Sequence, residues 1–183
     1  MMLGLLKRLA LLPISLVFAC LVAGLYGAIH DQISYTVAPS YYHEFKFDQF
    51  AIDPDFRNRI GASIVGWNAS WWMGLIIGLP IYFAGLFVRG NREFCIQYLR
   101  AAILVVLIAL VIGLGALATS FVSIDESHLP TWMVGWSVSD PVAFARVGTM
   151  HNFAYIGGFV GLASGVIAMV WAAWTTRQRP KVA

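Results

Sequence analysis

Charge is missing from most of this chain. Lysine, arginine, aspartate and glutamate make up 11% of its 183 residues and hydrophobic residues 60%, whereas about a quarter of a typical soluble domain is charged. Four stretches, Leu9 to Ile29, Gly66 to Val88, Ala101 to Val122 and Met150 to Trp174, contain no Asp, Glu, Lys or Arg. Each is long enough to cross a hydrocarbon core about 30 Å thick, which takes a helix of roughly 20 residues. The composition excludes an ordinary soluble domain. The predicted fold class is an all-α membrane protein: one four-transmembrane-helix bundle over 1–183, with outer loops at about 30–60 and 123–149. Pro80 is read as the one interior breaker, expected to kink the second span.

Cysteine is nearly absent. Cys20 and Cys95 are the only two, one placed in mid-membrane and one near the inner face, too far apart for a disulfide. There is no Cys-x-x-Cys redox pair. A lipid-modified Cys20 is disfavoured by the bulky Phe18 two residues before it. A Gly-rich phosphate loop, a Gly-x-Ser-x-Gly elbow and a cysteine nucleophile with a spaced histidine are all missing, so the sequence points away from an enzyme. An ion pathway through one monomer is not expected either. Such pathways leave ionisable residues inside the spans, and these spans hold only Asn68, Asn152, His151 and a few hydroxyls, nearly all near the outer edge.

What charge there is falls unevenly. Lys7, Arg8, Arg89, Arg92, Arg100, Arg177, Arg179 and Lys181 flank one side of the four spans; eight of the nine acids and all four histidines flank the other. Short basic loops stay in the cytoplasm, so both termini are predicted inside. A multi-pass protein of the bacterial inner membrane, N-in and C-in, is the expected location. The formal charge of +3 then reflects topology, and no nucleic-acid partner is implied. Lys7-Arg8 before an apolar run also describes a secretory signal peptide, but the apolar run is longer than such a signal needs.

Small residues recur at helix-contact spacing. Gly74 and Gly78 on the second span, and Gly157, Gly161 and Gly165 on the fourth, are four apart, the pattern that lets helix backbones approach in lipid. They are expected to form a helix-packing interface, either within one bundle or between subunits. A faint repeat lays Asn68 to Ile76 on Asn152 to Val160, which would place Asn68, Asn152 and Tyr155 in an outer polar cluster of two related hairpins.

The first outer loop is rich in aromatic and β-branched residues. Ile33 to Val37 and His43 to Ile52 have strand-forming composition and Ala38 to Tyr42 that of a turn, so a small extracytoplasmic cap of β-hairpin character is expected, ended by Asp53-Pro54. Tyr26, Trp67, Trp71, Trp72 and Tyr155 read as an outer aromatic belt; Tyr98, Trp171 and Trp174 read as an inner one. The layout of inward termini and a large first outer loop resembles that of claudin-like tetraspan proteins. The tryptophan motif with a cysteine pair in their first loop has no counterpart in 30–60, so no residue role is carried over.

The polar constellation with chemical content is His30-Asp31 at the outer end of span one and His151-Asn152 at the outer start of span four. If these spans are neighbours, His30 and His151 meet across the bundle. There they could bind a transition metal, a haem or another tetrapyrrole. His43 and His128, with Glu44, Asp125 and Glu126, could complete a loop-capped metal site with His30, Asp31 and His151. The bland alternative is that these histidines anchor helix ends by hydrogen bonds. The expected role is a non-catalytic accessory, assembly or sensing subunit. Its partners would be the lipid bilayer and other membrane subunits or copies of itself. A haem, pigment or metal-binding protein and an oligomeric channel are the alternatives.

Overall fold

The computed structural model describes the backbone of residues 2–178 and the side chains of 8–178. The Lys7 side chain, Arg179 and Lys181, which entered the charge asymmetry, lie outside the described residues. Among the described residues five long helices build the bundle: α1 Met2–Val37, α2 Arg59–Ser70, α3 Met73–Gly85, α4 Asn91–Ser123 and α5 Pro141–Gln178. From Arg8 onward α1 is long and apolar enough to span a membrane, as are α4 and α5, with mean hydropathy of 2.3, 3.0 and 1.9; α2 and α3 pass together as a pair bent by 42°. That makes three candidate spans, or four if the bent pair is one.

The bend lies at Trp71-Trp72, between the end of α2 and the start of α3. There Gly74 N–H donates to the Trp71 carbonyl and Leu75 N–H to that of Trp72, both at 3.0 Å, a tightened turn in place of the regular ladder. The expected kink at Pro80 is not where this bend falls, and α3 continues through the proline. A second proline, Pro13, is carried inside α1.

Packing is inverted relative to a soluble protein. Large apolar side chains such as Ile14, Leu25, Ile103, Leu107, Phe159 and Ile167 face outward, while glycine and alanine fill the contacts. A Cβ on Gly27 of α1 would lie 2.1 Å from the Gly66 carbonyl oxygen of α2, and one on Gly74 would lie 2.5 Å from the backbone of Ala19 and Cys20. In the second half, Gly157 and Gly161 of α5 meet the α4 backbone at Ala109 and Val105, at 2.8 and 3.0 Å. Gly78 and Gly165 are closed by Tyr98 and Ile81. All five glycines of the predicted packing stripes are therefore occupied inside this chain. α1 with α2 and α3 forms one half, α4 with α5 the other.

The two ends differ. At the end where α1 begins and α5 stops, Arg8 is 7% exposed and its guanidinium reaches across to the chain that leaves α3. Its Nε donates to Asn91 Oδ1 and its Nη1 to the Gly85 carbonyl, both at 3.0 Å, and its Nη2 to the Val88 carbonyl. The Phe94 ring lies against it, 5.0 Å away, and the Tyr82 hydroxyl donates to the Arg8 carbonyl.

At the other end sits a cap built of helical turns, and the predicted β-hairpin is not formed: there is no strand among the described residues. Ile33 to Val37 is the last turn of α1. Residues 39–49 wind through short α-helical turns and a π-helical turn at Tyr42–Lys46. The reason is tertiary. A strand would send Tyr41 and Tyr42 to opposite faces, whereas the winding buries both, at 5% and 0% exposure. They pack with Phe47, Phe144 and Val65 in one cluster. Strand propensity largely measures fit to a half-buried sheet surface, and no sheet is there to receive it. Asn58 then caps α2, its Oδ1 accepting the Ile60 N–H at 2.7 Å. The second loop is tied on by Glu44, which accepts the Ser139 N–H at 2.9 Å and the Ser139 hydroxyl, and by Trp136 against Phe45 at 4.9 Å.

Candidate functional site

Because α1 continues past Ile29, it carries His30, Asp31 and Ser34 into the junction of bundle and cap, where they are 4%, 3% and 0% exposed. Residues three and four apart share a helix face, so Ser34 lies on the same side as both Asp31 and His30 and one turn brings the three to the junction. α5 brings His151 to the same point. The His30 and His151 rings meet edge to face with centroids 4.9 Å apart. His30 Nδ1 lies 3.4 Å and His151 Nε2 3.8 Å from Asp31 Oδ1. His30, Asp31 and His151 each offer a ligand atom, and all lie within 4.8 Å of one another. α1 and α5 otherwise touch little; His30 and His151 meet at this end.

The cap closes over the group. The Tyr41 ring stacks on His151 with centroids 5.2 Å apart. Tyr42 pairs with Ser34 Oγ at 2.5 Å and lies within donating distance of the Asp31 carbonyl, at 3.3 Å. Ser34 Oγ is in turn 3.3 Å from His151 Nε2. Burial pushes both phenols above their ordinary pKa, so they stay protonated donors. It pulls the Lys46 ammonium down, an effect that Asp31 opposes. Gly66 leaves room for the carboxylate, since a Cβ there would lie 2.9 Å from Asp31 Cγ.

Two polar atoms of this region find no hydrogen-bond partner: His30 Nε2 and the Tyr26 hydroxyl. Both residues line a cavity of about 110 Å³ that runs down between the helices, past Met73 and Val105, to Tyr98. Asp31, Ser70, Tyr98, His151 and Tyr155 are its other polar side chains, and the rest of the wall is apolar.

The arrangement decides among the expected cofactors. A tetrapyrrole held between the two imidazoles needs two metal–nitrogen bonds of roughly 2 Å end to end, plus a ring radius on either side. The 4.9 Å centroid separation leaves no place for a macrocycle, so His30 and His151 do not fit as opposed axial ligands. A single ion is different. Two imidazoles and one carboxylate form a donor set suited to first-row divalent metals, and bonds of roughly 2 Å require only that the three side chains draw together.

His43 and His128 do not join them. His43 is exposed and lies 3.1 Å from the Tyr35 hydroxyl. His128 is exposed beside Asp125, whose carboxylate sits 2.9 Å from His128 Nδ1 and is held below its ordinary pKa by that contact and by the Ser127 N–H. The loop-capped extension of the metal site is thus not assembled. Asn68 and Asn152 are both exposed, on different helices, and no hydrogen bond joins them. Tyr155 lies near the cluster and lines the cavity. Tyr26, Ser34, Tyr41 and Tyr42 had no place in the expected site. Ser34 was findable from its i, i+4 spacing to His30, had α1 been carried beyond Ile29.

Compared with known proteins, the chain matches no family model, no curated protein and no solved structure.

Proposed function

We propose that this chain is a four-span integral membrane protein of the bacterial inner membrane that binds one divalent transition metal inside its bundle. His30, Asp31 and His151 are the ligands, and the role is that of a sensing or accessory subunit. The observation that carries the reading is the buried triangle of donor atoms within 4.8 Å. A carboxylate that is 3% exposed, with imidazoles at 3.4 and 3.8 Å and besides them only Tyr42 and Lys46 to favour its charge, is incompletely compensated, and a buried charge needs pairing or a metal. A cation between the three groups supplies the missing charge.

The ligands also explain how binding is reported. His30 and Asp31 belong to one half of the bundle and His151 to the other, so an ion would clamp α1 to α5 at the cap end, adding to the contacts of Ser34 and Tyr41 with His151. Orientation rests on the flanking arginines. Arg8, Arg89, Arg92 and Arg177 gather at the end opposite the cap, and the preference of basic loops for the cytoplasm supports reading that end as the inner one. The acids of the cap then face the periplasm. The apolar walls of the cavity favour a binding site over a route for ions.

The test is metal analysis of the full chain purified in mild detergent without chelator, followed by Co²⁺ titration. About one metal per chain is expected, with cobalt absorption bands that vanish in Asp31→Asn and His151→Ala. A well-folded protein that takes up no metal, and whose melting temperature no divalent ion changes, would overturn the reading.

A further inference from the structure

From the cavity beneath the cluster we infer a second site, for a single-chain lipid with a hydroxyl head. It stands whether or not a metal occupies the histidines. All four sides of the bundle contribute to the wall, and each offers small residues that leave it open, among them Ala19, Gly74, Ala102, Ala109, Ala154 and Gly158. From Tyr98 to Ala109 the cavity follows α4 for roughly 16 Å at 1.5 Å per residue. A long, narrow, apolar space has the shape of one hydrocarbon or isoprenoid chain. Val22 and Tyr26 of α1 and Ala102 and Val106 of α4 are only partly buried, and α1 and α4 share few contacts, so the cavity meets the lipid-facing side of the bundle between these helices. A chain can enter there without crossing the cap.

The head is fixed by what lacks a partner. His30 is 4% exposed, its Nδ1 faces Asp31, and its Nε2 is the ring atom left over. The Tyr26 hydroxyl, on a ring whose centroid is 5.5 Å from that of His30, is the other orphan. An unmade hydrogen bond at a buried polar atom is unfavourable, so two of them at one pole of a mostly apolar cavity call for a polar occupant. A hydroxyl satisfies both. It accepts from Tyr26, and it donates to Nε2 or accepts from Nε2–H, according to which ring nitrogen carries the proton. A carboxylate head would face Asp31 at close range and be repelled. A bare alkyl chain would leave both orphans unpaired. The hydroxyl can be that of a long-chain or isoprenoid alcohol, or of a quinol with an isoprenoid tail.

Photo-labelling of the full chain in nanodiscs tests this, with and without a chelator so that the metal reading is probed apart. The probes are a diazirine-bearing hexadecanol and the same alkyl chain with no head, with a carboxylic acid and with an amine. The alcohol is expected to label the cavity face of α4 around Ala102 and Val106 in preference to the headless chain. Tyr26→Phe should weaken alcohol labelling about fivefold, the worth of one net hydrogen bond, and leave the headless chain unchanged. Ala102→Phe should abolish labelling at that face. Competition by an isoprenoid alcohol or by a quinol supports the site and identifies the source of the hydroxyl. Labelling confined to lipid-facing Ile103 and Leu107, equal labelling by the alcohol and the headless chain, no effect of Tyr26→Phe, or stronger labelling by the acid or amine would overturn it.

Discussion

Glu44 joins the two loops of the cap through one fully exposed carboxylate, held below the usual glutamate range by the hydroxyl and N–H of Ser139. A depressed folded pKa sets the sign. The contribution is complete above the unfolded value of about 4.3 and fades as pH falls from there through the folded value. The fluorescence of Trp136, isolated by subtracting that of Trp136→Phe, should therefore hold steady from neutrality to about pH 5 and change only below the ordinary glutamate value. Glu44→Ala should give the acid signal at neutral pH; a transition centred above pH 5 would show that another group governs the contact. The same scale shows what the sequence made visible of the site. His30, Asp31 and His151 were legible because each flanks or begins an apolar run, where polar residues stand out. Tyr41 and Tyr42 were not, because their burial depends on how the cap folds back over the bundle, which no spacing encodes; Ser34, one helical turn after His30, was hidden only by ending the first helix at Ile29.

Helix by helix, glycine decides how closely the elements approach. Gly27 and Gly66 bring α1 and α2 into backbone contact, so Gly27→Val should separate the pair and lower thermal stability sharply, as overpacking by even one or two methylenes costs about 1–3 kcal/mol. Gly115 of α4 has nothing within 4 Å of a Cβ, and Gly115→Ala should be neutral or raise stability by up to about 1 kcal/mol through its better helix propensity. Melting in one detergent compares the two; equal effects would deny the contact its role. The apolar runs show where helices lie because lipid imposes that composition on any element crossing it. They say nothing of where a run breaks, and Trp71-Trp72 looks like ordinary belt residues until its neighbours are seen. The cap failed as a hairpin for the converse reason: its β-branched and aromatic composition answers to burial, which helical turns supplied.

For the molecule as a whole, Arg8 anchors the end opposite the cap. Its guanidinium serves three carbonyls at the end of α3 and beyond, at Gly85, Leu86 and Val88. Lysine offers a point charge in place of the planar fork, so Arg8→Lys should loosen this end. Faster hydrogen exchange is expected in residues 85–91, with the cap and cavity unaffected; unchanged exchange there would show that water replaces the arginine without loss. This grip also bears on how the chain is made. Arg8 leaves the ribosome long before residues 85–91, so through the synthesis of α1, α2 and most of α3 its charge has no protein partner and must stay at the hydrated membrane surface.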